Sequence, residues 1–302
     1  ESSAASDVYK RQVHARVKLL ERLEARRIKE PFVDIKQPEI HLVTDNEIEE
    51  TVALKVNDYN VGFADVLIEN ANFEIKSNEK VALIGSNGTG KTTLLREIFR
   101  NNNEAIEINE DIELAFLSQL QGEMLDESNT ILDEFFDAGF ETKQKIREHL
   151  QNYGFESEVL NQKIASLSGG EKNILQLAKV SASKANMLLL DEPTSHLDTY
   201  SQVALEDAIK NYNGAVLMIS HDFYTIVNCV DYVLIIEDKT IRKMSLRKFR
   251  KMIYSKYFDK DYLEIEQKKK EVEMKVELAL KNTDFARAKV LSEKLEEYIK
   301  LL

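Results

Sequence analysis

A single cysteine, Cys229, stands in 302 residues. No internal disulfide framework can staple this fold, and the chain fits a reducing, cytoplasmic setting. Within Val227-Asn-Cys-Val230 that thiol reads as a small buried hydrophobe. Prolines number only three, and after Pro38 the sole one is Pro193. No apolar run approaches the roughly 18 to 20 residues of a membrane span, and the first residues lack the charged-then-apolar order of a secretory signal. The expectation is a globular protein with no integral membrane segment. Bases are outnumbered, 41 Lys and Arg against 53 Asp and Glu, for a net charge of −12. Taken alone, that balance argues against a dedicated nucleic-acid binder. What is present is 43% apolar residues, enough for a core in one large domain with appendages or in two small ones.

Glycine is also sparse, ten in all, yet three of them fall in Val81-Ala-Leu-Ile-Gly-Ser-Asn-Gly-Thr-Gly-Lys-Thr-Thr93. Val81 to Ile84 read as a buried strand, and Thr92 to Phe99 as the start of an amphipathic helix. Between them Gly85, Gly88 and Gly90 allow positive φ, so that the backbone N–H groups of Gly85, Ser86, Asn87, Gly88, Thr89 and Gly90 can turn inward. This is a P-loop, a nest for phosphate oxygens at a helix N-terminus. Lys91 then reaches the β- and γ-phosphates, the Thr92 hydroxyl suits Mg²⁺, and Thr93 follows in the first helical turn.

Taken in order, the chain opens on Ser2 to Gln12, SSAASDVYKRQ. Every codon of this stretch can be matched in frame to a transposon-based sequencing adapter. We therefore expect residues 1–12 to be a translated library scar and the natural protein to be longer at its N-terminus. Residues 13–30 read as a helix carrying six bases against three acids, either a solvated face or a polyanion contact. Pro31 ends it, and 13–50 as a whole reads as the end of a linker helix followed by an extended linker. The domain proper is expected at 51–245. Strands are expected at 51–56, 66–75, 106–108 and 112–117, and a helical insert at about 120–183. Helices then alternate with the buried strands Met187-Leu-Leu-Leu190 and Ala215-Val-Leu-Met-Ile219. That alternation predicts an α/β fold with a mixed, largely parallel sheet. Residues 246–302 are expected to form a C-terminal helical extension, with two amphipathic helices from Tyr262 broken at Asn282-Thr-Asp284.

Two further stretches carry chemistry. Met187-Leu-Leu-Leu-Asp-Glu-Pro193 is a buried strand ending in two carboxylates. Any strand can end so, but beside a P-loop Asp191 suits the Mg²⁺ shell and Glu192 the water that attacks the γ-phosphate. Pro193 stops the strand and keeps Glu192 out of the right-handed helical region. Leu167-Ser-Gly-Gly-Glu171 begins a helix with Ser168 as its cap. Gly169 and Gly170 in a first turn cost about 1 kcal/mol each relative to alanine, and close approach to an anion is an economical reason for them. That gives a second phosphate-binding end, which a second nucleotide in a dimer would use.

Gly85 to Thr92, Gln119 in Leu-Ser-Gln, LSGGE at 167–171, LLLDEP at 188–193, Ser195-His-Leu-Asp198 and Ile219-Ser-His-Asp222 follow one another in order. Over residues 51–245 the chain resembles an ATP-binding cassette ATPase. The resemblance implies a P-loop NTPase cassette that hydrolyses ATP with Mg²⁺. Gln119 contacts the metal and the attacking water, Asp198 crosses a dimer interface, His221 holds the γ-phosphate, and Ser168 completes the site of the facing cassette. An aromatic about two dozen residues before the loop stacks on adenine; Phe63 matches best, Tyr59 is the alternative, and either could be ordinary core. Thr89 stands where alanine is common, and Ile174 where the signature helix usually carries a base.

The flanks resemble those of the ABC-F subgroup. A basic helix leads into the cassette, the signature ends in glutamate, and residues 241–256 hold seven bases and no acid before a C-terminal hairpin. That hairpin is either functional or a cap on the domain. The implied protein is the second cassette of an ABC-F ATPase acting on the ribosome, as a translation factor or in antibiotic resistance. Its partners would be a second cassette, in cis or as a homodimer, and the ribosome. The alternative is the ATPase subunit of a membrane transporter. A purely structural cassette is disfavoured by the intact Glu192 and His221.

Overall fold

The computed structural model describes residues 39–44, 50–62, 65–118, 124–257 and 262–301. These fall into two compact units divided after Arg250. The expectations for residues 1–38, for Phe63 and for Gln119 lie outside the described residues.

The first unit is α/β, as its alternating pattern predicts. Six strands form one sheet in the order β5-β6-β7-β3-β8-β9. Their ranges are Leu114–Leu117 for β5, Met187–Asp191 for β6, Ala215–Ile219 for β7, Lys80–Ile84 for β3, Tyr232–Glu237 for β8 and Thr240–Ser245 for β9. All pairs are parallel except β8 with β9. Every residue of β6 and β7 is buried, which is why these strands read as unbroken apolar runs. A second, antiparallel sheet is ordered β2-β1-β4, from Val66–Lys76, Val52–Gly62 and Ile106–Ile108. Between the sheets lies α1, Lys91–Arg100, whose Leu94, Leu95 and Ile98 share one core with Leu54, Ile68, Leu83 and Leu189.

Two strand boundaries differ most from the sequence reading, and one basic stretch spans two elements. β1 runs on to Gly62 through Asn57-Asp-Tyr-Asn60, past the expected end at residue 56. The ladder to β2 continues across an irregularity in which Asp58 takes a φ of 47°; Asn72 Nδ2 donates to Asp58 Oδ1 at 2.7 Å, and Asn70 N to Asn60 Oδ1 at 2.8 Å. β5 starts at Leu114 rather than Ile112, because Asn109 Oδ1 accepts from Asp111 N and closes an Asx turn there. The basic stretch 241–256 is split between β9 and the helix α7, Leu246–Tyr257.

The insert holds α2 (Ile131–Asp137), α3 (Lys143–Gln151), two 3₁₀ turns and α4 (Gly169–Ala182). Thr130 and Ser168 each make a reciprocal capping box, with Asp133 and Glu171. Residues 39–44 lie across this insert. Ile40 and Leu42 are buried, Glu39 N donates to Asn152 O at 2.6 Å, and His41 O accepts from the hydroxyls of both Tyr153 and Ser181. Beyond β6 and β7 come α5 (Thr199–Asn211) and α6 (Phe223–Cys229).

The second unit contains an antiparallel-reading pair, α8 (Tyr262–Lys281) and α9 (Phe285–Leu301), broken at Asn282-Thr-Asp284 as expected. Val272, Val276, Leu295 and Ile299 are buried between them. No described helix is long and apolar enough to cross a membrane.

Candidate functional site

Register brings the chemistry together. Ile219 of β7 pairs with Leu83 of β3 on one side and with Asp191 of β6 on the other. The P-loop, Asp191-Glu192 and Ser220-His221 therefore leave one sheet edge at the same level, where open α/β sheets bind ligands. They surround a cleft of about 540 Å³ lined by Asn87, Gly88, Lys91, Thr92, Glu192 and His221, among others. Gly90, Thr93 and Asp191 also line it, as do Ser195, from the Ser195-His-Leu-Asp198 motif, and Leu67, which carried no signal in the sequence.

The P-loop is shaped by its glycines. Gly88 and Gly90 have φ of +80° and +94°, a region open to glycine at little cost. A Cβ at Gly90 would lie 3.1 Å from Leu67 Cβ, and one at Gly85 would lie 2.9 Å from Thr89 Oγ1. Gly90 gives α1 no side-chain cap, and the first turn of α1 holds no acid. Its N–H groups and positive dipole end are thus left for an anion. The unusual Thr89 is accommodated, its hydroxyl donating to Ser86 O at 2.9 Å within the loop. Lys91 is buried, and its Nζ donates to Gly85 O and Ser86 O at 2.8 and 2.9 Å. Burial pushes the ammonium pKa down, while the Glu192 and Asp191 carboxylates pull it up.

Opposite lie the acids. Asp191 is almost fully buried. Glu192 takes a left-handed φ of 51°, and its N–H donates to Ile219 O at 3.0 Å. Pro193 makes the right-handed region unfavourable for Glu192, but the left-handed placement was not readable from sequence. Strained backbone of this kind collects at functional sites. The carboxylate faces His221, with Oε1 3.4 Å from Nε2 and Oε2 accepting from the His221 N–H at 3.4 Å. Burial, with the charge of Asp191 adding, raises the Glu192 pKa, while His221 and Lys91 oppose the rise. The result is a carboxylate that binds a proton more readily than an exposed one.

The fit to Mg²⁺ rests on donor chemistry. Thr92 and Asp191 offer oxygen to one cleft, as a hard cation requires. Among the described residues no group of three or more His, Cys, Asp or Glu could hold a metal. Mg²⁺ is commonly bound through one or two carboxylates, substrate phosphates and water.

The signature residues stand elsewhere. Ser168, Gly169 and Gly170 are not among the residues lining this cleft. Ser168 Oγ accepts from Glu171 N at 3.3 Å, and Ser168 N donates to Glu171 Oε2 at 2.8 Å. A Cβ at Gly170 would lie 3.0 Å from His196 O, so close packing against this chain's own backbone favours that glycine as well. Asn173 of α4 donates to Pro193 O and Ser195 O at 3.3 and 2.5 Å. It ties the signature helix to the loop after Glu192, a role its sequence position does not reveal. Asp198 caps α5, accepting from Ser201 N at 2.8 Å. Tyr59 packs against the core, and its hydroxyl donates to Glu97 Oε2 at 3.2 Å.

A phosphate cradle at a helix N-terminus, with two carboxylates and a histidine at the same sheet edge, is the arrangement of a P-loop nucleotide-binding domain. The sequence model described as ABC transporter matches residues 68–195. The fold is shared with a dimeric ATP-binding cassette in a post-hydrolysis state bound to ADP and Pi. Its TM-score is 0.54 at 21% identity, covering 64% of this chain and 99% of that one. The chain is 34% identical over 227 residues to ABC transporter F family member 5 of Arabidopsis thaliana, covering 73% of this chain and 33% of that protein. It is 30% identical over 241 residues to protein GCN20 of Saccharomyces cerevisiae, covering 77% and 31%. The chain belongs to the ABC ATPases, and its curated relatives place it with the F family. It spans about a third of the length of those relatives.

Proposed function

We propose that this cassette binds Mg-ATP and hydrolyses it in a composite site with a second cassette, as the C-terminal half of an ABC-F protein acting on the ribosome. The observation that carries the reading is the convergence of Lys91, Asp191, Glu192 and His221 on one cleft. The P-loop amides and Lys91 hold the β- and γ-phosphates, and Thr92 and Asp191 hold the metal. Bound Mg²⁺ supplies charge neutralisation on the phosphate oxygens. Glu192 takes the proton of the attacking water, His221 holds the γ-phosphate, and Gln119 orients water and metal. Phe63 stacks on adenine, and Ser168 with Gly169 and Gly170 closes over the γ-phosphate of the partner's nucleotide. The dimeric assembly of the similar cassette supports such a pairing. On the RNA side, an acidic chain carries exposed bases at Arg242, Lys243, Arg247, Lys248 and Arg250.

The test is Glu192→Gln in the two-cassette protein. Phosphate release should fall about 10²- to 10⁴-fold with ATP binding retained, since an amide keeps the shape but takes no proton. The trapped form should sediment with ribosomes in ATP, and this association should weaken steeply with salt, about one unit of log–log slope per phosphate neutralised. Hydrolysis near the parent rate would remove Glu192 from its role, and sedimentation that is absent or indifferent to salt would remove the ribosome.

A further inference from the structure

Among the described residues the catalytic reading leaves two buried carboxylates unused: Glu134, which is paired with Lys179, and Glu206. Glu206 lies in the middle of α5 with 6% of its surface exposed. Its Oε1 accepts from Thr225 Oγ1 at 2.9 Å and its Oε2 from Asn228 Nδ2 at 3.0 Å, and Cys229 Sγ approaches its backbone carbonyl at 3.6 Å. All three partners belong to α6. That helix has seven residues, too few to hold its place by intrinsic stability. Its N-cap is Asp222, whose Oδ1 accepts from Tyr224 N and Thr225 N, and the residue before the cap is His221. α6 therefore anchors the histidine loop at one end, as β7, ending at Ile219, does at the other. At the other end of α5, Asp198 caps the helix directly after the loop of Ser195 and His196.

A carboxylate buried this deeply is costly to desolvate, and apolar packing would join two helices at lower cost. We propose that Glu206 is a positioning residue for hydrolysis. Through Thr225 and Asn228 it seats α6 so that His221 stands 3.4 Å from Glu192, and it links that loop to the one preceding α5. Glu206 touches neither nucleotide nor water; it acts through His221. This inference rests on the hydrolytic reading of the site.

The test is a double-mutant cycle on kcat in the protein with its partner cassette, alongside the affinity for a fluorescent ATP analogue. Glu206→Ala should lower kcat by about ten- to a hundredfold, the scale of a small misplacement of a reacting group. Affinity should stay within about twofold, because the P-loop is built on other elements. Glu206→Gln keeps an acceptor for the Thr225 hydroxyl and should restore most of the loss. Thr225→Val keeps the shape, removes only that donor and should show a smaller loss in the same direction. In a His221→Ala background, Glu206→Ala should cost nothing further, since the residue through which it acts is gone. Independent losses that multiply in the double variant would overturn the proposal, as would an unchanged kcat in Glu206→Ala. If the parent turns over no ATP, the hydrolytic reading fails instead. The His221 ring signals in NMR then decide the positioning separately: they should move in Glu206→Ala and return in Glu206→Gln, and signals that stay fixed would refute it.

Discussion

Gly88 and Gly90 answer different physical demands within one loop. Both have positive φ, but a Cβ at Gly88 would meet open space, whereas one at Gly90 would press on Leu67. Asparagine tolerates the left-handed region better than other side chains. Gly88→Asn should therefore leave stability within about 1 kcal/mol of the parent, while Gly90→Ala adds a clash to backbone strain and should cost more. Urea titration of the two variants checks the order, and equal losses would mean that φ alone sets the cost. At this scale the sequence is informative where chemistry and backbone demand coincide, as in Lys91 or the glycines. It is silent on Asn173 and Glu206, whose partners are brought to them only by the fold.

Among elements, the helical insert is joined by a ring cluster. His149 of α3 stands 5.2 to 5.9 Å from the rings of Phe135, Phe140 and Tyr153, and its Nε2 is 2.8 Å from Ala178 O of the signature helix α4. Burial lowers its pKa below the ordinary 6.5, with the Ala178 carbonyl opposing. A base whose folded pKa is depressed binds its proton better when unfolded. Its contribution to stability is thus complete above pH 6.5 and is lost as pH falls from there toward the folded value. His149→Phe, which keeps a ring in the cluster, should flatten the pH dependence of Tm in that window. The difference should stay below about 1.4 kcal/mol per pH unit, the limit for one proton. Parallel pH profiles for the two proteins would show that His149 does not titrate with unfolding. The fold class, the order of elements and the break at Asn282-Thr-Asp284 were legible because buried parallel strands and helix breakers leave strong local signals. The extension of β1 to Gly62 was not, because the left-handed Asp58 interrupts the strand pattern locally while side chains of β2 carry the pairing across the irregularity. Nor was the docking of residues 39–44 on the insert, which depends on two hydroxyls far away in sequence.

For the whole molecule, the central claim is that one chain holds half of each of two sites. Lys91, Asp191, Glu192 and His221 share a cleft that Ser168 does not line, and the proposal gives the signature serine to the site of a facing copy. Two separate chains bear the full entropy of association, which a covalent link would reduce through an effective concentration of about millimolar. The most direct measurement is ATP turnover per chain of this cassette across a wide dilution series, with Lys91→Ala and Ser168→Arg assayed singly and mixed. The account predicts that turnover per chain rises with concentration. It also predicts that the mixture recovers part of the activity each variant lacks, because one site then combines an intact Lys91 with an intact Ser168. Constant turnover per chain in a confirmed monomer, or no recovery on mixing, would contradict it.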